Sequence, residues 1–269
     1  MSKIEEALKK AKEMQVAAGT QPSATERPAD TTSADEIARM HEPLRRSETE
    51  LATRRIIYPS MRDTAIRDAF RNLRTSIVQK AGSGNAIVLV TSTAEHGGGS
   101  FVARNLAAAI AFDENRTALL VDCNLRAPAH EELVVNENPL GLTDFLRDQD
   151  VAVAEIIHPS GIPRLRIVPI GRNKDPGSEY FALLKMQRLF RELKQRYRER
   201  FVVVDAPAVA VSADVRMLAE LCDYAILVVP YGGSTDSQID AAVAAIGEQR
   251  LLGTIINDEP SSAVLGRWI

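Results

Sequence analysis

Six short runs of this chain are apolar almost from end to end: AIVLV (86–90), TALLVD (117–122), LRIVPI (165–170), FVVVDA (201–206), YAILVVP (224–230) and GTIIN (253–257). A strand with one solvated face alternates apolar and polar residues, so a strand apolar on both faces must be covered on both. Helix-patterned stretches at 100–112, 178–198, 212–221 and 234–249 separate most of these runs. The arrangement that covers every strand is a mainly parallel sheet flanked by helices, an α/β fold. Such sheets bind ligands at the carboxyl ends of their strands. Ahead of the first strand, TAIRDAFRNLRTSIVQK (64–80) sets Ile66, Phe70, Leu73 and Ile77 along one helical face.

The N-terminal part reads differently. Residues 1–15 carry Ile4, Leu8 and Ala11 at helical spacing among Lys and Glu. This predicts a short helix, too poor in apolar surface to stand alone and suited to docking. Residues 16–50 are rich in Ala, Thr, Ser, Pro, Asp and Glu and lack aromatics, the composition of a disordered linker. The expected organisation is a flexible segment of short helix and linker over 1–60 and one folded domain over 61–269.

A net charge of −3 gives no global argument for nucleic acid as a partner. No apolar run reaches the roughly 20 residues of a membrane-spanning helix, so the expectation is a cytoplasmic protein, held at a membrane only by a partner. Cys123 and Cys222 sit in or beside apolar runs and read as buried free thiols of a reducing compartment. The four histidines show no transition-metal ligand spacing.

The first strand runs into TSTAEHGGGS (91–100), and a helical pattern follows at once. Free amides at a helix start, together with the helix dipole, favour an anion there. Gly97, Gly98 and Gly99 let the backbone approach phosphate oxygens without a Cβ in the way. A loop of this kind ordinarily carries a lysine just before its hydroxyl residue. Here that position is Gly99, followed by Ser100. Two later runs end in carboxylates, Asp122 and Asp205, and such residues with a loop hydroxyl are how Mg²⁺ is held beside a triphosphate.

With these residues in place, the region from about 61 to 258 resembles the bacterial tyrosine kinase (BY-kinase) family of P-loop proteins, regulators of capsular and extracellular polysaccharide polymerisation and export. Residues 91–107 resemble its Walker A segment and following helix, including Ser100-Phe101 and Asn105-Leu106-Ala107. VDCNLR (121–126) resembles its second Walker motif, usually Asp-x-Asp-x-Arg, and VVVDAPAV (202–209) its Walker B strand. RDAFRNLR (67–74) resembles its oligomerisation helix, Glu-x-x-Arg-x-x-Arg, here Asp68, Arg71 and Arg74. DPGSEYFA (175–182) resembles a segment leading into the next helix, and GTIIND (253–258) the final strand, whose Asn257 would face adenine. Partitioning and division-site ATPases are related, but their extra signature lysine would fall at Ala94.

The resemblance implies a P-loop fold binding ATP or ADP with Mg²⁺. Glu95, His96, Gly97, Gly98, Gly99, Ser100, Phe101 and Asn257 would contact nucleotide. Ser100, Asp122 and Asp205 would surround the metal, with Asp122, Asp205 and Arg126 as the catalytic set. Three departures point to weakened binding and chemistry. Gly99 replaces the lysine that contacts the β- and γ-phosphates. Asn124 replaces the second acid and cannot take a proton. The last tyrosine is Tyr231, so no C-terminal tyrosine cluster is available for phosphorylation. Arg126, or Arg104 one turn into the helix, could substitute for the missing cation.

The leading expectation is therefore a degenerate, pseudokinase-like regulator of exopolysaccharide or capsule assembly, acting as a homo-oligomer. It would be recruited to the inner face of the cell membrane by a chain-length-regulator (polysaccharide co-polymerase) protein. The alternatives are an active tyrosine autokinase or ATPase using a substitute cation, and an interaction scaffold that binds no nucleotide.

Overall fold

The computed structural model describes residues 40, 42–82, 84–172, 184–196 and 199–259. The expected helix at 1–15, most of the linker, the 175–182 segment and the final SSAVLGRWI lie outside the described residues.

All six expected strands form, as β1 (Ile87–Ser92), β2 (Thr117–Asp122), β4 (Leu165–Val168), β5 (Arg200–Asp205), β6 (Tyr224–Pro230) and β7 (Leu251–Asn257). A two-residue strand, β3 (His158–Pro159), was not expected and pairs antiparallel with β4. The sheet order is β3-β4-β2-β5-β1-β6-β7, and every other pairing is parallel. The central strands β1, β2 and β5 are buried at every position, which is why their sequences do not alternate.

Side chains of alternating parity feed two cores. On one face Leu89, Val121 and Val204 pack with Leu189 and Phe190 of α5 (Leu184–Arg196), Leu218 of α6 (Asp214–Leu221) and Ile246 of α7 (Asp236–Ile246). On the other, Val88, Leu120 and Val203 meet α3 (Gly99–Ala111), which in turn meets Phe70 and Ile77 of α2 (Thr64–Ala81). The alanines of α3 explain its place: Ala103, Ala107, Ala108, Ala109 and Ala111 are buried, so small side chains let the helix lie between the sheet and α2. A short helix, α4 (Leu142–Arg147), follows β2.

The N-terminal boundary needs correction. The linker expected to reach residue 60 gives way earlier to α1 (Glu48–Thr53), whose Ser47 and Glu50 form a reciprocal capping box. Leu51, Ile56 and Ile57 are buried in the second core. Upstream, Glu42 pairs with Arg166 and accepts from the Gly161 amide, while Arg46 donates to the Ser160 and Glu132 carbonyls. The signals were Ser47-x-x-Glu50 and the Ile56-Ile57 pair, which the surrounding polar composition obscured.

Asn105 fastens this segment to the domain. Fully buried, it accepts from Ile57 N at 2.7 Å through Oδ1 and donates from Nδ2 to the Arg55 and Phe101 carbonyls, each at 2.9 Å. Asn105→Ala strips partners from buried backbone groups and is expected to lower unfolding free energy by about 2–3 kcal/mol, read from urea denaturation midpoints.

Candidate functional site

The glycine turn ends at a helix start that no side chain caps: Gly98 is the N-cap of α3, at φ 93°. His96 also takes a left-handed conformation, φ 58°, a region that non-glycine residues seldom adopt. The turn cannot accept larger residues everywhere. A Cβ on Gly98 would lie 2.2 Å from Asn257 Nδ2, and one on Gly97 would lie 2.9 Å from the Ala94 carbonyl oxygen. At Gly99 the nearest atom found around such a Cβ is Ser92 N at 3.6 Å, ordinary van der Waals contact, so a Cβ fits there.

The turn faces a cleft of about 300 Å³, lined also by Asn124, Arg126 and the 206–208 stretch after β5. Glu95, His96, Gly97, Gly98, Gly99, Ser100 and Phe101 all line it, so the structure gathers the expected loop residues around one space. Among the described residues, Arg126 is the one Arg or Lys on its wall. A second pocket of about 640 Å³ shares His96, Gly98 and Phe101 with the first and adds Ile56, Ile57, Tyr58, Met61 and Asn257. Asn257 stands against Gly98 and donates to the Gly97 carbonyl at 3.4 Å, so β7 braces the turn as well as lining this pocket. Phe101 meets Phe70 of α2 edge-on at 5.9 Å, which ties the start of α3 to its neighbour.

Arg104, which lines the second pocket, has its guanidinium engaged by protein groups. It donates to the Arg54 and Ala129 carbonyls and pairs with Glu132 at 3.2 Å, joining the segment before α2 to the loop after β2.

Asp122 and Asp205 end adjacent strands and are register partners, both with no solvent exposure. Each Asp122 oxygen accepts a backbone amide, from Asn124 at 3.0 Å and from Ala129 at 3.1 Å, so this carboxylate shapes the loop that follows it. Asn124 is spent in the same loop, its Oδ1 accepting from Ala127 N at 3.3 Å. Burial pushes the Asp122 carboxyl up to about 6, opposed by neighbouring His130 and reinforced by Asp205.

Sequence reasoning missed His130. It is fully buried, with Nε2 2.8 Å from Asp205 Oδ2. Burial alone would lower its pKa, but the hydrogen bond to Asp205 and the nearby Asp122 outweigh it, and the net shift is upward. Asp205 Oδ1 is buried without a partner. The absence of metal-ligand spacing hid this contact, because the strand order alone brings residues 130 and 205 together.

The uncapped helix start lines the cleft, and Asp205, whose Oδ1 is buried without a partner, directly precedes Ala206 on the cleft wall; these groups fit a polyphosphate with its cation. Among the described residues no group of three or more His, Cys, Asp or Glu is arranged to hold a metal. Magnesium needs none, since it keeps waters and takes one or two carboxylates together with substrate phosphates.

On α2, Asp68 pairs with Arg67 at 3.2 Å and Arg71 at 3.7 Å, while Arg74 donates to the Ala109 carbonyl at 3.4 Å. Arg67, Arg71 and Arg74 line one small cleft with Tyr58 and Phe112. Cys123 and Cys222 are buried free thiols, as expected, and burial raises both pKa values.

No protein-family model matches the chain. It is 26% identical over 198 residues to the tyrosine-protein kinase Wzc of Salmonella typhimurium, covering 72% of this chain and 27% of that one. It is 26% identical over 222 residues to the tyrosine-protein kinase YwqD of Bacillus subtilis, covering 81% and 92%. With the succinoglycan biosynthesis transport protein ExoP of Rhizobium meliloti it shares 28% identity over 223 residues, covering 79% and 25%. The chain thus spans about a quarter of the length of Wzc and ExoP.

Among solved structures, the kinase domain of Escherichia coli Etk superposes with TM-score 0.65 at 22% identity, over 81% of this chain and 89% of that one. The septum-site protein MinD of Pyrococcus horikoshii, complexed with Mg-ADP, gives TM-score 0.52 at 21% identity, over 68% and 76%. These matches bear out a mainly parallel P-loop fold.

The glycine geometry separates two substitutions. Gly98→Ala forces a strained φ and displaces Asn257, and is expected to cost about 1–3 kcal/mol of stability. Gly99→Ala should change stability by no more than about 1 kcal/mol, in the stabilising direction. Thermal melts of the two variants against wild type check both.

Proposed function

The chain is a relative of the bacterial tyrosine kinases, and from that premise we propose that it is a nucleotide-binding regulator of exopolysaccharide or capsule polymerisation and export with weak phosphoryl transfer. The observation that carries this reading is a glycine turn that opens on a cleft poor in cations: Asn124 and Ala206, which lie just after the buried Asp122 and Asp205, line that cleft, yet Arg126 is the one Arg or Lys on it among the described residues.

The polyphosphate of ATP or ADP would lie against the amides of Gly97, Gly98, Gly99, Ser100 and Phe101, with Glu95 and His96 at the rim. The nucleoside would extend into the adjoining pocket toward Asn257, whose walls of Ile56, Ile57 and Tyr58 suit an apolar ring face. Ser100, Asp122 and Asp205 are the residues that would hold Mg²⁺, which when bound neutralises phosphate charge.

Transfer needs more than binding. A cation acting on the transition state is commonly worth about 10³-fold or more in rate. Gly99 supplies none, and Asn124 cannot act as a base. Nucleotide would therefore bias assembly and partner contact rather than drive rapid turnover. Asp68, Arg71 and Arg74 are proposed to meet a neighbouring copy of the chain. The partner would be a membrane chain-length-regulator protein, recruiting this chain to the inner face of the membrane. Similarity to ExoP, named for succinoglycan biosynthesis transport, supports that direction. Among the described residues no helix is long and apolar enough to cross a membrane.

Arg126, exposed on the cleft wall, favours a second reading, an active autokinase or ATPase with a substitute cation. Incubation with ATP and Mg²⁺ should yield at most trace phosphotyrosine above an Asp205→Ala control, and abundant phosphotyrosine lost in that control and in Arg126→Ala would establish the second reading.

The charge argument gives a sharper expectation. Titration of the full chain with a fluorescent ATP analogue and Mg²⁺ should show measurable affinity, and Gly99→Lys should tighten it by about 10-fold or more, the worth of one charge-assisted hydrogen bond. No binding by wild type overturns the regulator reading in favour of a scaffold. Binding that Gly99→Lys fails to improve overturns the role assigned to position 99.

A further inference from the structure

The two buried carboxylates have divided their work unequally. Asp122 has a backbone amide on each oxygen, both from the loop that follows it. Asp205 has one oxygen, Oδ2, on His130, and its Oδ1 has no partner although it is buried. His130 closes the same loop that Asp122 opens, and its own carbonyl accepts from Leu133 N at 3.1 Å, fixing its backbone in a short turn. The loop is thus pinned at its start by Asp122 and at its end to the tip of the neighbouring strand.

Because a carboxylate accepts hydrogen bonds, the imidazole donates from Nε2. A buried polar atom left without a partner is costly, and native proteins keep such atoms where a ligand completes them. Groups that hydrogen-bond a ligating carboxylate from behind fix its orientation toward a metal.

We infer that His130 is a positioning residue for the divalent cation that accompanies nucleotide: it holds Asp205 by Oδ2 and leaves Oδ1, buried and without a protein partner, as the oxygen that would take the ion. Asp205 is then the direct protein carboxylate ligand, and Asp122 acts through water and through the loop it shapes. This rests on the nucleotide-binding reading above and deepens it by naming the group that sets the metal's ligand.

The test compares His130→Leu, which removes the donor, with His130→Gln, whose amide can still donate to Asp205. Binding of a fluorescent ATP analogue to the full chain is measured across a Mg²⁺ series and without metal. His130→Leu is expected to raise the half-saturating Mg²⁺ concentration about 10–100-fold, the usual loss for such a partner, and to weaken metal-free nucleotide binding by a smaller factor than that. His130→Gln should restore most of that loss.

Equal Mg²⁺ dependence in wild type and His130→Leu overturns the inference, as does equal impairment of both variants, which would mark a merely structural role. Should His130→Leu fail to fold, proton NMR of ligand-free wild type decides. A slowly exchanging His130 imidazole N–H, lost in Asp205→Ala, supports the contact, and its absence from wild type overturns it. Failure of the nucleotide reading is distinguishable, because wild type would then bind no nucleotide at any Mg²⁺ concentration.

Discussion

Two carboxylates without solvent exposure stand side by side at the tips of β2 and β5, and much of the surrounding structure serves to hold them there. Like charges so placed repel, and burial penalises each one further. Two backbone amides on Asp122 and the imidazole on Asp205 offset that cost, and both kinds of contact come from the single stretch 124–130. Part of the wall of the cleft at the glycine turn comes from that same stretch, through Asn124, Arg126, Ala127 and Ala129. The arrangement that makes the acids tolerable therefore also shapes the space above them.

The parallel sheet makes this possible. Its six parallel strands present their carboxyl ends to one side, so residues far apart in sequence arrive together without any local motif to announce it. Arg104 and Asn105 extend the same economy to the N-terminal side. From one turn of α3 they reach Arg54, Arg55 and Ile57, and Arg104 also reaches the loop beyond β2. The residues before α2 are thereby part of the site's wall.

Much of this was legible from residue pattern. All six apolar runs form strands within a few residues of where the pattern puts them, and β1, β2 and β5 are central and covered as expected. But β7 lies at the sheet edge with Ile256 61% exposed, because apolar composition does not encode strand order. The glycine turn, Asp122 and Asp205 announced themselves by ending such strands. What was not legible has physical reasons. His130 acquires its partner through strand order, which local pattern does not encode. The segment at 47–57 carries too few apolar residues to read as folded, and gains its place from capping and from Asn105. Arg104 looked free to act on phosphate because carbonyl acceptors, being backbone, leave no trace in composition.

The open space at Gly99 has one more consequence. Had the turn packed tightly around a residue without a side chain, atoms from its floor would fill the space where a Cβ would sit. None lies closer than 3.6 Å to where a first side-chain carbon would sit. At this position the turn has room for a Cβ, so a larger residue there would change its charge before it changed its backbone.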